Sequence, residues 1–462
     1  MRLVPLSLVL LLALIPAQRI SATPAVRTAP PNIVVILSDD QGYSTLGAYG
    51  GDPKRVVTPH LDRLAAQGAR FTDGYVACST CSPSRAGLLT GRYPQRFGYY
   101  ANIDAQRGAG LPAAEVTLPR FFKSAGYATA AIGKWHLGTE QPGQHPLERG
   151  FDEYFGFDSS QTDYFKSPIL FRGREKIRNH HYLTAEFSRE AAAFIARNRE
   201  RPFLLYLAYN GVHGPQQAPE EYLRRFSHLP DERERMQSAM LAALDDGVGQ
   251  VLAQLDQLNL AENTLVFFLS DNGGLHNWWS GSNGPQRGFK REQWDGGVKV
   301  PFLVRWPARI AAGQVVRDPV IALDILPTAL AAAKLVLPTD RAIDGVNLLP
   351  RLTGQQTRPP HEMLFWAGSH VAGDLRGRQG QADGPPAWAV RRGSWKALQI
   401  FAEGGVKLFN LETDVGEQHD LAASRPEIVR ELTAAYVAWF RQAGTPPISY
   451  HRTHYEKLKS VP

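Results

Sequence analysis

The N-terminal three quarters of the chain alternates short apolar runs with amphipathic segments. Such alternation is typical of βαβ units, in which parallel strands share one sheet and helices cover its faces. Five apolar runs are predicted to be strands: Ile33–Leu37, Ala128–Ile132, Phe203–Ala208, Thr264–Leu269 and Val300–Val304. The sequence therefore predicts an α/β fold with a large mixed, mainly parallel sheet flanked by helices.

Helices are predicted between these strands. The clearest is Pro59–Gln67, which has Thr58 as its N-cap, proline at its first position and Gly68 as its stop signal. The other predicted helices are Leu118–Ser124, Thr184–Asn198 and Asp231–Leu258. The last two are the long helices that separate the later strands.

After about Pro350 the pattern changes to short strands without helices between them, which predicts an antiparallel sheet. The four strands are Met363–Trp366, Trp388–Arg391, Trp395–Ile400 and Lys407–Leu411. An amphipathic helix, Pro426–Arg441, follows them. We therefore expect a large α/β domain over residues 23–350 and a smaller α+β domain over residues 351–462, which contains a four-stranded antiparallel sheet.

The first 22 residues have the order of a secretory signal peptide. Arg2 precedes an apolar run, Leu3–Ile15, and the small residues Ser21 and Ala22 follow it. An N-terminal membrane anchor is the alternative, but thirteen apolar residues are too few to span a bilayer. The sequence predicts an exported protein, periplasmic or secreted, with no membrane span.

The charge and the cysteine count exclude two further classes. Lys and Arg total 51 and Asp and Glu total 44, a net charge of +7, or +5 once Arg2 and Arg19 leave with the signal peptide. These charges are scattered, with no basic run interleaved with aromatics, so no nucleic-acid partner is expected. The two cysteines, Cys78 and Cys81, lie three positions apart and cannot form a disulfide framework.

Chemically active side chains follow four of the predicted strands. Asp39 and Asp40 come after the first, Lys134 and His136 after the second, His213 after the third, and Asp271 with Asn272 after the fourth. In an open parallel sheet, ligands bind beyond the carboxyl ends of the strands. An acid in this place is often only a helix cap. The coincidence of all four predicts one functional site.

Four of these residues could hold a metal ion: Asp39, Asp40, Asp271 and Asn272. They offer only oxygen ligands, which suit Ca²⁺ or Mg²⁺ and argue against zinc. Neighbouring carboxylates repel one another unless a cation lies between them, which is a further reason to expect one. The alternative is that Asp40 and Asn272 cap turns.

Two segments carry a resemblance to a known family. Residues 79–91, STCSPSRAGLLTG, resemble the signature of the type I sulfatases at every position, and residues 126–136, GYATAAIGKWH, resemble a second signature of that family. The likeness continues through residues 288–301 and into the C-terminal strands, and so covers nearly the whole mature chain. It implies an alkaline phosphatase-like fold and makes residues 23–350 the catalytic domain.

The resemblance also implies a post-translational modification. In that family the cysteine of Cys-x-Pro-x-Arg, here Cys81, is oxidised to formylglycine by a formylglycine-generating enzyme or an anaerobic sulfatase-maturating enzyme. One hydroxyl of the hydrated aldehyde attacks sulfur, and the other later loses its proton to release sulfate. Position 81 then lies among the groups around the cation, with Ca²⁺ expected in preference to Mg²⁺. Arg85 steadies the hydrate and the surroundings of the cation.

Further roles are carried over by position. Lys134 and Lys290 would hold sulfate oxygens as charge builds up in the transition state. His136 would take the proton whose loss expels sulfate, and His213 would protonate the leaving oxygen. The resemblance to the type I sulfatases also suggests Ser160 as a further contact of the sulfate group.

Several alternatives stay open at this stage. Cys78 and Cys81 could form a redox Cys-x-x-Cys or a local disulfide. The chain could hydrolyse phosphonates or phosphate esters, or be an exported binding protein without activity. For a sulfatase, the expected substrate is a sulfated carbohydrate or an aryl sulfate. The loop Gly368–Pro386 and the pair Trp278–Trp279 are predicted to influence that choice.

Overall fold

A computed structural model describes residues 29–461 apart from 104–107, 140, 179–180, 276–281, 371–384 and 449–451. The strands are β1 Asn32–Ser38, β2 Ala69–Phe71, β3 Gly74–Tyr75, β4 Ala128–Lys134, β5 Glu153–Phe157, β6 Leu170–Arg172, β7 Glu175–Ile177, β8 Phe203–Ala208, β9 Thr264–Ser270, β10 Phe302–Arg305, β11 Gln314–Val316, β12 Val320–Ile321, β13 Met363–Ser369, β14 Pro386–Arg392, β15 Trp395–Ile400 and β16 Lys407–Asn410. The predicted signal peptide lies outside the described residues.

The α-helices are α1 Pro59–Ala66, α2 Cys81–Thr90, α3 Leu118–Ser124, α4 Leu183–Arg197, α5 Glu220–Arg225, α6 Glu232–Gln257, α7 Asp295–Val298, α8 Ile325–Ala332, α9 Leu349–Leu352, α10 Pro426–Ala443 and α11 Arg452–Lys459. Short 3₁₀ turns lie at Gly47–Tyr49, Pro94–Phe97, Pro146–Arg149, Ala261–Asn263, Ala322–Asp324 and Ala422–Ser424. Within the described ranges, no helix combines the length and the apolarity needed to cross a membrane.

Ten of the described strands form one sheet, in the order β11-β2-β10-β9-β1-β8-β4-β5-β6-β7. The central strands β9, β1, β8, β4 and β5 are parallel to their neighbours in this series. Strand β10 runs antiparallel to β9, and β6 and β7 each run antiparallel to the strand before them. The predicted large, mixed and mainly parallel sheet is confirmed.

The two faces of the sheet are covered by different layers. In β1 all seven residues are buried; Val34 and Ile36 pack in one apolar cluster, with helices α4 and α6, while Ile33, Val35 and Leu37 pack in the other. The second cluster also contains residues of α2, α3, α8 and the C-terminal sheet. Burial on both faces explains why the central strands are apolar without alternation.

The C-terminal part forms the predicted four-stranded antiparallel sheet, in the order β13-β14-β15-β16. Helix α10 packs on it, and the ring of Tyr436 stacks on that of Trp388 with centroids 4.4 Å apart. Because this sheet shares an apolar cluster with the large sheet, the two parts of the chain form one continuous core.

The start of α1 is where it was predicted, but its capping differs. The side chain of Thr58 makes no capping hydrogen bond and instead accepts one from the backbone N–H of Gly47. The carboxylate of Asp245, on α6, accepts from the N–H groups of His60 and Leu61, at 3.1 and 2.8 Å. Two N–H groups at the start of α1 therefore donate to a side chain of another helix, α6. Capping rules consider only residues close in sequence and so do not predict this contact.

Strand β10 begins at Phe302, two residues later than predicted, because the N–H of Val300 donates to the carbonyl of Gly74 instead of extending the strand. Several short strands at or near the sheet edges were not predicted: β2, β3, β5, β6, β7, β11 and β12. Each has only two to five residues, too few for an apolar period to show in the sequence.

A buried ion-pair cluster joins the C-terminal sheet to the large domain. The Nζ atom of Lys396, on β15, lies 2.7 Å from Asp295 Oδ1 and 2.8 Å from Glu417 Oε1, and all three side chains are inaccessible to solvent. Asp295 Oδ2 also accepts from the hydroxyl of Tyr75, at 2.8 Å. Burial raises the pKa of Glu417 to about 7, although the Lys396 ammonium opposes this. Lys396 therefore compensates two buried acids at once.

We expect Lys396→Met to lower the free energy of unfolding by about 3–5 kcal/mol, because it leaves two buried carboxylates without their cation. The loss should be smaller at pH 5 than at pH 8, since the abandoned acids can protonate in the folded state. Urea unfolding at both pH values measures this. Lys407→Met, which removes the surface pair with Glu403, is the control and should cost at most about 1 kcal/mol. Equal losses in the two variants would contradict this account.

Candidate functional site

The parallel register brings the strand ends to one level. Ser38 lies opposite Ser270, and Ala208 lies opposite both Leu37 and Gly133. Consequently the residues that leave β1, β8, β4 and β9 emerge side by side at the carboxyl edge of the sheet. Hydrogen bonds continue past the strands here, because the N–H of Asp271 donates to Ser38 O at 3.0 Å.

One glycine is required for this arrangement. Gly133 has φ +106°, in the region that favours glycine, and a Cβ atom there would lie 1.9 Å from the carbonyl oxygen of Ala208. Any side chain would push β4 away from β8, and Lys134 is the next residue. The glycine therefore sets the height at which Lys134 enters the site.

The two consecutive acids each meet a lysine. Lys134 Nζ lies 2.6 Å from Asp39 Oδ2, and Lys290 Nζ lies 2.5 Å from Asp40 Oδ1. Burial alone would raise the pKa of both carboxyls, but the neighbouring positive charges outweigh it. Lys134 is the main one for Asp39 and Lys290 for Asp40, and both pKa values lie below their ordinary range. Both acids are therefore ionised in the fully buried site.

Arg85 holds the third acid. It is completely buried, its Nε and Nη2 atoms lie 2.8 and 2.7 Å from Asp271 Oδ2, and Nη1 donates to the carbonyl of Lys134 at 3.1 Å. Despite its burial, the carboxylates of Asp271 and Asp39 raise the pKa of Arg85. Burial, followed by the negative charge of Asp39, raises the pKa of Asp271. Arg85 thus ties α2 to the ends of β4 and β9.

Cys81 is the first residue of α2 and lies at the centre of these charges. Its Sγ atom is 3.1 Å from Lys290 Nζ and 3.7 Å from Asp39 Oδ1. Burial raises the pKa of the thiol to about 12, even though Lys134 and Lys290 oppose the shift. The unmodified side chain is therefore a neutral thiol at physiological pH. Cys78 is also buried and free, so the suggestion of a disulfide between the two cysteines is wrong.

Lys290 reaches the site from a distant part of the sequence, on a segment fixed by its backbone. The N–H of Lys290 donates to Gly274 O at 3.0 Å, and that of Arg291 donates to Ser79 O at 2.8 Å. These bonds connect the segment both to the chain after β9 and to the turn before Cys81. The position of the ammonium relative to Sγ is set by backbone as well as by charge.

His213 is the site side chain most open to solvent, with 15% of its side chain exposed. Its Nδ1 lies 2.6 Å from the carbonyl of Gly214, so Nδ1 donates there, and Nε2 faces Asp40 Oδ2 at 3.6 Å. Burial lowers the pKa of the ring, although Asp40 and Asp39 oppose the effect. The tautomer is thereby fixed, with Nε2 directed into the site.

His136 is deeply buried. It has a left-handed backbone, φ +54°, and its Nδ1 atom has no hydrogen-bond partner among the described residues. Burial, then the positive charges of Lys134 and Arg85, hold its pKa well below the ordinary value. A neutral imidazole in this position can accept a proton from a group in the site.

The donor set fits a hard divalent cation. One ligand atom from each of Asp39, Asp40, Cys81 and His213 lies within 4.8 Å of the others. Asp40 Oδ2 and Asn272 Oδ1 are buried acceptors without a hydrogen-bond partner. Such acceptors need a donor or a cation. Oxygen ligands favour Ca²⁺ or Mg²⁺ over softer metals.

The predicted ligands are not equivalent in this arrangement. Asn272 Nδ2 donates to Asp40 Oδ1 at 2.7 Å, so these two residues are in direct contact. Asp271 differs, because Oδ2 is held by Arg85 and Oδ1 lies 3.3 Å from the N–H of Asp40. Asp271 therefore contributes to the site with fewer free lone pairs than the other two acids.

The remaining predictions have different outcomes. Ser160 is half-buried beyond β5, and in the part of the chain that the structure describes no hydrogen bond joins it to the charged cluster. Trp278–Trp279 and most of the loop Gly368–Pro386 lie outside the described residues.

Two buried amides at the site were not predicted. Gln41 directly follows Asp40, and Asn210 lies on the turn that carries His213. In both side chains neither polar atom has a hydrogen-bond partner within the described residues. Their adjacency to predicted site residues is the signal that could have indicated them. Buried amides in this state are free to hold a ligand or water.

Comparisons with known proteins found matching family models, related sequences and similar structures. The family model described as sulfatase matches residues 31–335, and that described as N-sulphoglucosamine sulphohydrolase, C-terminal, matches residues 287–436. The uncharacterized sulfatase YdeN of Escherichia coli K12 is 32% identical over 504 residues, which cover 93% of this chain and 88% of that protein. Steryl-sulfatase of Mus musculus is 36% identical over 436 residues, 74% of this chain and 68% of that protein.

A solved structure is similar over nearly the whole chain. It is that of Ps i-CgsB in complex with k-i-k-neocarrahexaose, with a TM-score of 0.84 and 32% sequence identity. The match covers 94% of this chain and 98% of that one. The similarity therefore includes both the large sheet and the C-terminal sheet.

We expect Arg85→Lys to lower the free energy of unfolding by about 3 kcal/mol, because lysine cannot keep the hydrogen bond and the second ion-pair contact to Asp271 together with the hydrogen bond to Lys134 O in a buried site. Chemical unfolding followed by fluorescence measures the loss. Arg172→Lys is the control, since Arg172 also forms an ion pair, with Glu190, but on the surface. It should change stability by less than about 1 kcal/mol. A loss for Arg85→Lys no larger than this would contradict the role given to Arg85.

Proposed function

Because the chain belongs to the sulfatase family of the alkaline phosphatase-like superfamily and is a sulfuric ester hydrolase, we propose that Cys81 is converted to formylglycine and that its hydrate supplies the nucleophile. The observation that carries the proposal is the placement of Cys81. It opens α2 with its Sγ atom between the ammonium of Lys290 and the carboxylate of Asp39. No other described side chain that could become a nucleophile has both kinds of partner in this cluster.

The cation of the proposed mechanism is Ca²⁺. Asp39, Asp40, Asp271 and Asn272 would hold it, together with the group at position 81. Its support is the all-oxygen donor set and the two unpartnered acceptors, Asp40 Oδ2 and Asn272 Oδ1. When bound, such an ion favours the deprotonated form of a neighbouring hydroxyl and offsets charge on a sulfate oxygen.

The lysines bind the sulfate group in this proposal. Lys290 Nζ is 3.1 Å from Sγ of Cys81, the atom whose place an oxygen takes in formylglycine, so a sulfate transferred to position 81 would lie within its reach. Lys134 approaches from the end of β4, where Asp39 fixes its ammonium. Donors that are already in place when charge develops cost little reorganisation and so lower the barrier.

The histidines move protons. His213 is partly exposed and directs Nε2 toward the mouth of the site; in its doubly protonated form, with Nδ1 still donating to Gly214 O, it would protonate the leaving oxygen through Nε2. His136 is enclosed and neutral, and is placed to take the proton whose loss frees the sulfate. The two rings differ in exposure, and this difference matches the different roles.

A sulfated carbohydrate is the proposed substrate, in preference to an aryl sulfate. The structure in complex with a neocarrahexaose is similar to 94% of this chain, whereas the steryl-sulfatase match covers 74% of it. The protein is proposed to be exported after removal of residues 1–22 and to be matured by a formylglycine-generating or anaerobic sulfatase-maturating enzyme.

Mass spectrometry tests the modification. In protein from a host with a maturation system, the peptide with position 81 should contain an aldehyde in place of the thiol, and Cys81→Ala should abolish sulfate ester hydrolysis. Cys78→Ala is the matched control, since Cys78 is also buried but makes only a contact with Thr80. It should retain activity. An unmodified thiol at position 81 in fully active protein would rule the mechanism out.

Metal removal tests the cation. After chelation, activity should fall at least tenfold, and Ca²⁺ should restore both activity and thermal stability more fully than Mg²⁺. Asp40→Asn should lose this response to Ca²⁺. Asp246→Asn should keep it, because Asp246 belongs to a separate acidic group with His60 and Asp245. Full activity in exhaustively chelated protein would refute the proposed cation.

A further inference from the structure

A cavity lies apart from the charged cluster. Its volume is about 650 Å³, and it is lined by Lys166, Ser167, Pro168, Lys176, Ile177 and Arg178. We call it the basic cavity, because three of its six lining residues are cationic. None of them belongs to the site described above.

The topology places the basic cavity at the same edge of the sheet as the site. In the register, Lys134 at the end of β4 is level with Phe157 at the end of β5. Strands β6 and β7 are successively antiparallel, with Leu170 opposite Ile177, so β6 starts and β7 ends at this edge. Three steps of about 4.8 Å separate β4 from β7, so the cavity lies on the order of 15 Å along the edge from Lys134.

The cavity wall is attached to the turn that carries His213. The hydroxyl of Tyr164 lies 2.8 Å from the carbonyl oxygen of His213, and Gln217 Nε2 donates to Asp163 Oδ2 at 2.8 Å. These bonds attach the segment from Asp163 to Pro168, which carries Lys166 and two other residues of the cavity lining, to the turn of His213. The position of the cavity relative to the site is therefore set by hydrogen bonds as well as by the sheet.

The three cations of the cavity are not held in ion pairs within the described residues, although the charge of Lys166 acts on the nearby carboxylate of Asp163. Lys166, Lys176 and Arg178 are exposed, and in the described residues none of them has an ion-pair partner. Two arginines elsewhere in the same hairpin differ, because Arg172 pairs with Glu190 and Arg174 pairs with Glu148. Among the described residues, Lys176 and Arg178, which line the cavity, are thus without an ion pair, whereas Arg172 and Arg174 of the same hairpin each have one.

We propose that the basic cavity binds an anionic group, sulfate or carboxylate, on a sugar unit some distance from the ester that is hydrolysed. The inference rests on the proposed function and narrows its substrate class to polyanionic oligosaccharides. Three cations with a common opening attract such a group over a distance of about 10 Å at moderate salt. Pro168 and Ile177 supply the apolar wall against which a sugar ring can pack.

Direct binding tests the proposal independently of catalysis. The background is Cys81→Ala, which binds without turnover, and the probes are a neocarrahexaose, a heparin-derived hexasaccharide and their desulfated counterparts. The cavity variant combines Lys166→Ala, Lys176→Ala and Arg178→Ala. It should bind at least one sulfated probe about tenfold or more weakly, and the salt dependence of that binding should be smaller. The control combines Arg430→Ala, Lys457→Ala and Lys459→Ala, three exposed cations of α10 and α11, and should change the Kd less than about twofold.

A kinetic measurement complements the binding assay. The cavity variant is made here in the matured enzyme that keeps position 81 as in the wild type. The ratio of its kcat/KM for the sulfated hexasaccharide to its kcat/KM for an aryl monosulfate should be at least tenfold lower than in the wild type. The fall should come from a higher KM for the hexasaccharide.

Three results would overturn the proposal: equal Kd values in the cavity variant and its parent, equal losses in the cavity and control variants, or no binding of either sulfated probe at millimolar concentration. Failure of the formylglycine mechanism is distinguishable, because it appears in mass spectrometry and turnover and leaves the binding assay on Cys81→Ala intact.

Discussion

The site depends on the mutual neutralisation of charges that have no access to water. Asp39, Asp40 and Asp271 contribute three negative charges, and Lys134, Lys290 and Arg85 contribute three positive ones. Each charge alone would cost several kcal/mol to bury, so removal of one leaves a partner that the fold cannot accommodate. A divalent cation adds two positive charges and released sulfate adds two negative ones, so the balance is kept when both are bound. Binding of the anion and of the metal are in this way complementary.

The rest of the fold holds these charges in place. Parallel strands in register carry the acids and Lys134 to one level. The position of Lys134 depends on Gly133, because its positive φ and its close approach to Ala208 O are possible only for glycine. Helix α2 brings Cys81 and Arg85 together, since four residues make about one helical turn. The C-terminal sheet is joined to the large domain by the ion pair between Lys396 and Asp295. It also shares an apolar cluster with the large sheet, so it is part of the same core.

Much of the architecture was predictable, and the exceptions share a cause. Strands β1, β8 and β9 have six or seven consecutive buried residues, and such runs are visible in the sequence. The short strands around β6 and β7 carry too few residues for a pattern, although they build the basic cavity. The capping of α1 by Asp245, 184 positions from Leu61, likewise depends on a contact that only the packed helices create. For the site, the four strand ends and both signature segments were found, but Gln41 and Asn210 were not.

Local sequence was enough to predict which residues meet at this edge of the sheet, because strands end where apolar runs end and the residues around Cys81 form a contiguous motif. It could not say how those residues share charge. Only folding decided three features of the structure. Lys290 contacts Cys81 across 209 positions, Arg85 forms an ion pair with Asp271, and Lys166, Lys176 and Arg178 line one cavity. Electrostatic interactions depend on distance and burial, and both arise when separate segments of the chain pack together.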